Sequence, residues 1–131
     1  MRTRYRFNET HRSHFITGTI VEWLPVFATS ACADLLVASF LHCREHRGLQ
    51  IYAWVILDTH FHAIVSGPDL ADTITALKRH TARVLLEQLH TEGRDWLLNQ
   101  LSYYTKPPTN SPVAIKSGKK ACTHNPFRAT P

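Results

Sequence analysis

The chain is predicted to be an α+β domain, an antiparallel sheet with two helices on one of its faces. Three observations carry this. Hydrophobic periods of two and of 3.6 residues alternate in the order strand, helix, strand, strand, helix. The two middle strands are separated by only Asp58 and Thr59, too short a link for anything but an antiparallel hairpin. Both helical segments are bracketed by capping residues and glycines.

The first strand is read within His14 to Phe27 (HFITGTIVEWLPVF), which alternates apolar and polar residues and is rich in β-branched and aromatic types, and it is expected to end near Pro25. Thr29 and Ser30 are suited to cap the following helix, whose stripe is Ala33, Leu36, Val37, Phe40, Leu41 and Cys43. Arg44, His46 and Arg47 place positive charge at its C-terminal end, and Gly48 closes it. Leu49 to Leu57 forms a nearly continuous apolar strand, and His60 to Ser66 (HFHAIVS) its partner. Gly67, Pro68 and Asp69 turn the chain into a second helix with the stripe Leu70, Ile74, Leu77, Thr81, Val84 and Gln88, Leu85 and Leu89 beside it, ending at Gly93. Asp95 to Tyr104 is a further short helical segment.

From Pro107 the pattern breaks. Prolines at 107, 108 and 112 interrupt regular structure, and the last residues show no period. The domain is therefore expected over 1–106, with an irregular segment over 107–131. This element order is that of a ferredoxin-like β-α-β-β-α-β domain from which the last strand is expected to be missing.

The 131 residues are 44% hydrophobic and carry a formal net charge of +5, with a pI near 9.4. That size fits one domain, and that charge favours a polyanionic partner. Arg2, Arg4, Arg6 and Arg12 crowd the N-terminus with Tyr5 and Phe7 between them. Basic side chains neutralise phosphates and aromatic rings stack on unpaired bases, although a solvated terminus gives the same pattern. Cys32, Cys43 and Cys122 are an odd number without C-x-x-C spacing, which points to reduced thiols. No apolar run approaches the roughly 20 residues that span a bilayer, and no apolar core follows the first arginines as in a signal peptide. A cytoplasmic protein with no membrane partner is expected.

His60 and His62 lie two apart on a strand and so share one face, opposite Phe61, Ala63 and Val65. If the helices cover the apolar face, both imidazoles stand on the open one, where a pair of this kind can take a divalent metal. Two exposed strand histidines without a role would give the same spacing.

The wider context adds a resemblance. AWVILDTHFHAIV (Ala53 to Val65) resembles the hairpin of the single-tyrosine transposases of the HUH class, in which a hydrophobic strand turns directly into His, a bulky apolar residue and His. ITALKRHTARVLLEQL followed by RDWLLNQLSYY resembles the REP-associated tyrosine transposases among them. The opening YRFNETHRSHFITGTIVEWLPVF resembles the first strand of that family more loosely, so the likeness covers about residues 4 to 106.

The resemblance implies a protein that binds single-stranded or hairpin DNA and, in complete relatives, cuts and rejoins it through a 5′-phosphotyrosine with a divalent metal, Mg or Mn. It implies His60 and His62 as metal ligands and Arg2, Arg4, Arg6 and Arg12 as DNA contacts. The third ligand and the tyrosine nucleophile of the family find no match here, so the catalytic residue is unknown and a cleavage defect is expected. Tyr103 and Tyr104 are read as packing or surface residues, and His80 and His90 as facing solvent. When Ile115 to Thr130 is read one base back, a choice of synonymous codons yields a string containing V-W-Q-E-G-L-H-P, a segment of the kind the family carries at its fourth strand. An out-of-frame tail is therefore expected.

Two other functions fit the residues. One is a non-catalytic nucleic-acid-binding module that stacks bases on Tyr52 or Trp54. The other is a metal-dependent hydrolase, disfavoured because Asp58 is the only acid near the histidines and suits the turn. The oligomeric state is left open, an oligomer included.

Overall fold

The computed structural model describes residues 12–105 and 111–117. Nine elements follow one another: β1 (His14–Ile20), two 3-10 turns (Val21–Trp23 and Val26–Ala28), α1 (Ser30–Arg47), β2 (Gln50–Ile56), β3 (His60–Ser66), α2 (Leu70–Thr91), α3 (Asp95–Tyr104) and β4 (Val113–Ser117). The strands form one antiparallel sheet in the order β2-β3-β1-β4. The predicted α+β class, with α1 and α2 against one sheet face, is the one found.

Two expectations are corrected. The fourth strand is present: Val113 to Ser117 pairs with β1, Val113 opposite Ile20 and Ile115 opposite Gly18. Its five residues are too few to show a period, and their partner lies at the other end of the chain. The irregular reading of 107–131 thus fails over Val113–Ser117. Residues 106–110 and 118–131 lie outside the described residues, as do Arg2, Arg4 and Arg6.

The second correction concerns β1, which ends at Ile20 rather than near Pro25. Glu22 and Trp23 both have φ of 53°, a left-handed conformation that L-residues with large side chains rarely adopt. Tertiary bonds hold them there: the Val21 amide donates to the Pro112 carbonyl at 2.9 Å, and the Ile20 amide to that of Thr59 at 3.0 Å.

The helix signals fare better. The Thr29 hydroxyl accepts from the Cys32 amide at the start of α1, and Gly48 closes it at φ 68°. The buried faces are Cys32, Leu36, Ser39, Phe40 and Cys43 on α1, and Leu70, Ile74, Leu77, Thr81, Leu85 and Leu89 among others on α2. Leu41, predicted to lie in the stripe of α1, is exposed.

Ile16, Ile20, Phe61, Ala63, Val65 and Val113 supply the sheet's half of the core. Phe61 sits at its centre, in edge-to-face contact with Phe40 (centroids 5.5 Å) and Phe27 (6.4 Å). Its ring lies over Gly18, the residue directly opposite on β1. A second tie fastens the ends of the helices. Arg94 donates to the carbonyls of Pro25 (2.9 Å) and Val26 (3.2 Å) and pairs with Glu92 at 3.5 Å. Glu92 also accepts from Thr29 (3.3 Å) and Gln88 (3.1 Å).

Burial pushes the Cys43 thiol above its usual pKa, an effect the Arg47 guanidinium partly offsets. The thiol is therefore protonated at neutral pH and unreactive. In a Cys122→Ser variant, aromatic disulfide reagents are expected to label Cys32 and Cys43 at least tenfold more slowly in buffer than in urea; equal rates would refute this.

Candidate nucleic-acid interface

Strand alternation divides the sheet cleanly. Phe61, Ala63 and Val65 face the helices, while His60, His62 and Ile64 stand on the uncovered face. On β1 the uncovered residues opposite them are Thr19, Thr17 and Phe15. The next strand out places Ala114 opposite Thr19 and Lys116 opposite Thr17. One cross-strand row thus reads Val55, His62, Thr17, Lys116.

Each imidazole is held on its Nδ1 side. His62 Nδ1 shares a hydrogen bond of 2.9 Å with the Thr17 hydroxyl, and His60 Nδ1 one of 2.9 Å with the Thr59 hydroxyl. Rings flank them as well: Phe15 stacks on His62 at 5.2 Å, and Trp23 and His60 meet edge to face at 5.2 Å. The two imidazole centroids are 4.9 Å apart. When Nδ1–H donates to a hydroxyl, the Nε2 lone pair is the one directed to a ligand, the arrangement that fixes tautomer and ring orientation in metal-binding histidines. His60 and His62 are the two side chains of the open face that could serve a divalent metal as ligands. Among the described residues no group of three His, Cys, Asp or Glu side chains could hold one.

A cleft of about 470 Å³ reaches the β1 partners of the two histidines. Thr17, Thr19, Glu22, Trp23, Ala114 and Lys116 line it, together with Lys78 of α2 and Tyr104 of α3. Trp23 is 62% exposed. Sequence reasoning missed Trp23, Lys78 and Lys116. The first was absorbed into an overlong strand, and the last lay in a segment without a period.

The other singled-out residues are placed as follows. Arg12 is exposed at the start of the described chain. Tyr52 and Trp54 part company at a bulge between Ile51 and Ala53. The Tyr52 hydroxyl bonds Ser66 at 2.8 Å on the open face, whereas Trp54 pairs with Ala63 and shares the helix side, exposed at the sheet edge. Only Tyr52 therefore stands on the face of the histidines. The carbonyl of Asp58 accepts from the Phe27 amide at 2.9 Å, a turn role as expected. Tyr103 and Tyr104 are exposed and meet edge to face at 5.0 Å. His80, half-buried, stacks on His42 at 5.5 Å, and burial first, then Arg83, lowers its pKa. His90 is exposed as expected. No described helix is long and apolar enough to cross a membrane.

The fold, a four-stranded antiparallel sheet with helices on one face, has counterparts among solved structures. Two solved structures share it with this chain. A REP-associated tyrosine transposase bound to a REP hairpin matches with a TM-score of 0.55 and 19% identity, over 64% of this chain and 53% of that one. A candidate transposase from Deinococcus radiodurans R1 matches with a TM-score of 0.56 and 13% identity, over 91% and 88%. The chain thus spans about half the length of the REP-associated enzyme. No protein-family model and no curated protein matches it.

Proposed function

We propose that this chain is a transposase domain of the single-tyrosine HUH type, a cytoplasmic protein whose open sheet face binds single-stranded or hairpin DNA. The observation that carries the reading is the pair His60 and His62, side by side on the uncovered face with both Nδ1 atoms engaged by threonine hydroxyls. The likeness to a transposase bound to a REP hairpin supports hairpin DNA as the partner. The net charge of +5 supports a polyanion in general.

A Mg or Mn ion held by the two Nε2 atoms would polarise and orient a phosphate oxygen. The chain's own part is to fix both imidazoles: Thr17 and Thr59 anchor their Nδ1 sides, and Phe15 limits rotation of the His62 ring. Water or substrate oxygens would fill the remaining positions.

A second reading, DNA binding without cleavage, gains weight because a third protein ligand is absent among the described residues. Calorimetry with manganese is expected to show binding that the His60→Ala/His62→Ala variant loses; equal heats in both proteins would refute the metal site. An oligonucleotide with a bridging phosphorothiolate, which traps a covalent tyrosine adduct, separates the two readings. An adduct on wild-type protein establishes cleavage chemistry, and hairpin binding without an adduct establishes the module.

A further inference from the structure

The Val21–Trp23 turn is the most strained backbone among the described residues. Glu22 and Trp23 adopt left-handed φ in succession without a glycine, and such conformations persist only where surrounding contacts impose them. Here the strain has a visible product. It turns a large indole out to solvent, 62% exposed, in edge-to-face contact with His60. An exposed tryptophan has a full ring face available for stacking, and every nucleobase has a π-face to offer it.

The same cleft also supplies positive charge. Lys116 and Lys78 line it, while its one acid, Glu22, adjoins Trp23 in the chain. A nucleotide's phosphate is thus drawn to the lysines and repelled from the tryptophan end, which leaves the indole to the base. The roughly 470 Å³ of the cleft accommodates a single nucleotide. Lys116 stands opposite Thr17, which holds His62, and Trp23 touches His60. The cleft and the imidazole pair are therefore continuous through two of their own contacts.

We propose that this cleft is a subsite for one unpaired nucleotide next to the phosphate at the histidines, with Trp23 as the base-stacking platform and Lys78 and Lys116 as phosphate contacts. The subsite rests on the reading of the open face as a single-stranded DNA surface and assigns Trp23 as a positioning residue within it. Stacking of this kind tolerates any base, so the subsite fixes the strand's path without reading sequence.

The test uses the full chain and a DNA hairpin carrying a single-stranded flank. Abasic replacements are walked along the flank, and binding is measured by anisotropy at fixed salt. One position is expected to weaken wild-type binding about 5- to 100-fold, the span of one base–aromatic stack. The Trp23→Asn variant, whose residue tolerates left-handed φ, is expected to weaken binding of the intact flank by a similar factor and to be insensitive to that same abasic position. Lys116→Ala is expected to reduce the salt dependence by about one ion.

If wild-type protein binds the flanked hairpin but no abasic position matters, or if Trp23→Asn remains sensitive to it, the subsite is overturned while the DNA-binding reading stands. If wild-type protein binds neither hairpin nor flank, the DNA-binding reading itself falls. The abasic series needs no variant, so an unfolded Trp23→Asn protein leaves the proposal testable.

Discussion

Replacing Gly18 with alanine is expected to destabilise the domain by about 3 kcal/mol, at the upper end for overpacking. The glycine lies on the core face of β1 directly opposite Phe61, and a Cβ there would fall on the Phe61 ring itself. Relief by rotation of the ring is blocked, because Phe27 and Phe40 already pack against it edge to face. The strands would have to part or the aromatic cluster to repack. Urea unfolding should show a lower midpoint with an unchanged slope. A second change, Phe61→Leu, should recover a good part of the loss in the Gly18→Ala background while costing stability on its own. Such coupling identifies a steric conflict between two residues in contact. Additive losses, or a Gly18→Ala protein as stable as the parent, would refute it.

Removal of the Arg94 side chain is the second large effect, expected at about 2–3 kcal/mol for Arg94→Ala. One guanidinium serves the carbonyls of Pro25 and Val26 and the carboxylate of Glu92. Hydrogen bonds from a charged donor contribute about 1.5–3 kcal/mol each when shielded. With Arg94 and Glu92 about one-fifth exposed, solvent screening lowers the sum. The cost lies mainly in what is left behind, two carbonyls and a half-buried carboxylate without their cation. Glu92→Gln added to Arg94→Ala should therefore restore part of the stability, since an amide needs no counter-charge. A midpoint shift below about 0.5 kcal/mol in Arg94→Ala would show that water replaces the guanidinium without loss.

What the residues disclosed follows the range of the interactions involved. The caps at Thr29 and Gly48 are local chemistry, and both lie where the sequence places them. The facing of His60 and His62 needs only the period of a strand and knowledge of which face is apolar. The end of β1 was hidden because TIVEW has good strand-forming residues, and the turn at Glu22 depends on a bond from Val21 to Pro112, most of the chain away. The same distance hid β4, whose five residues acquire meaning only beside β1. The facing of Trp54 was hidden for a related reason. A bulge at Tyr52 puts Trp54 on the helix side of the sheet, and one inserted residue reverses every facing beyond it.

The strand order has a consequence for synthesis. Among the described strands β1 is the first to leave the ribosome, yet it lies inside the sheet, between β3 and β4. Its two neighbours arrive at very different times. The β2–β3 hairpin closes within a short stretch of chain and can join β1 once α1 has crossed over. The other edge of β1 stays open until Val113–Ser117 emerges, after both long helices have been made. Pairings between distant segments form slowly, and an open edge is a template for other strands. A nascent domain is therefore most vulnerable to misassembly just before β4 appears. Lys116 on β4, an edge strand among the described residues, adds a charge of the kind that discourages pairing with strands of other molecules.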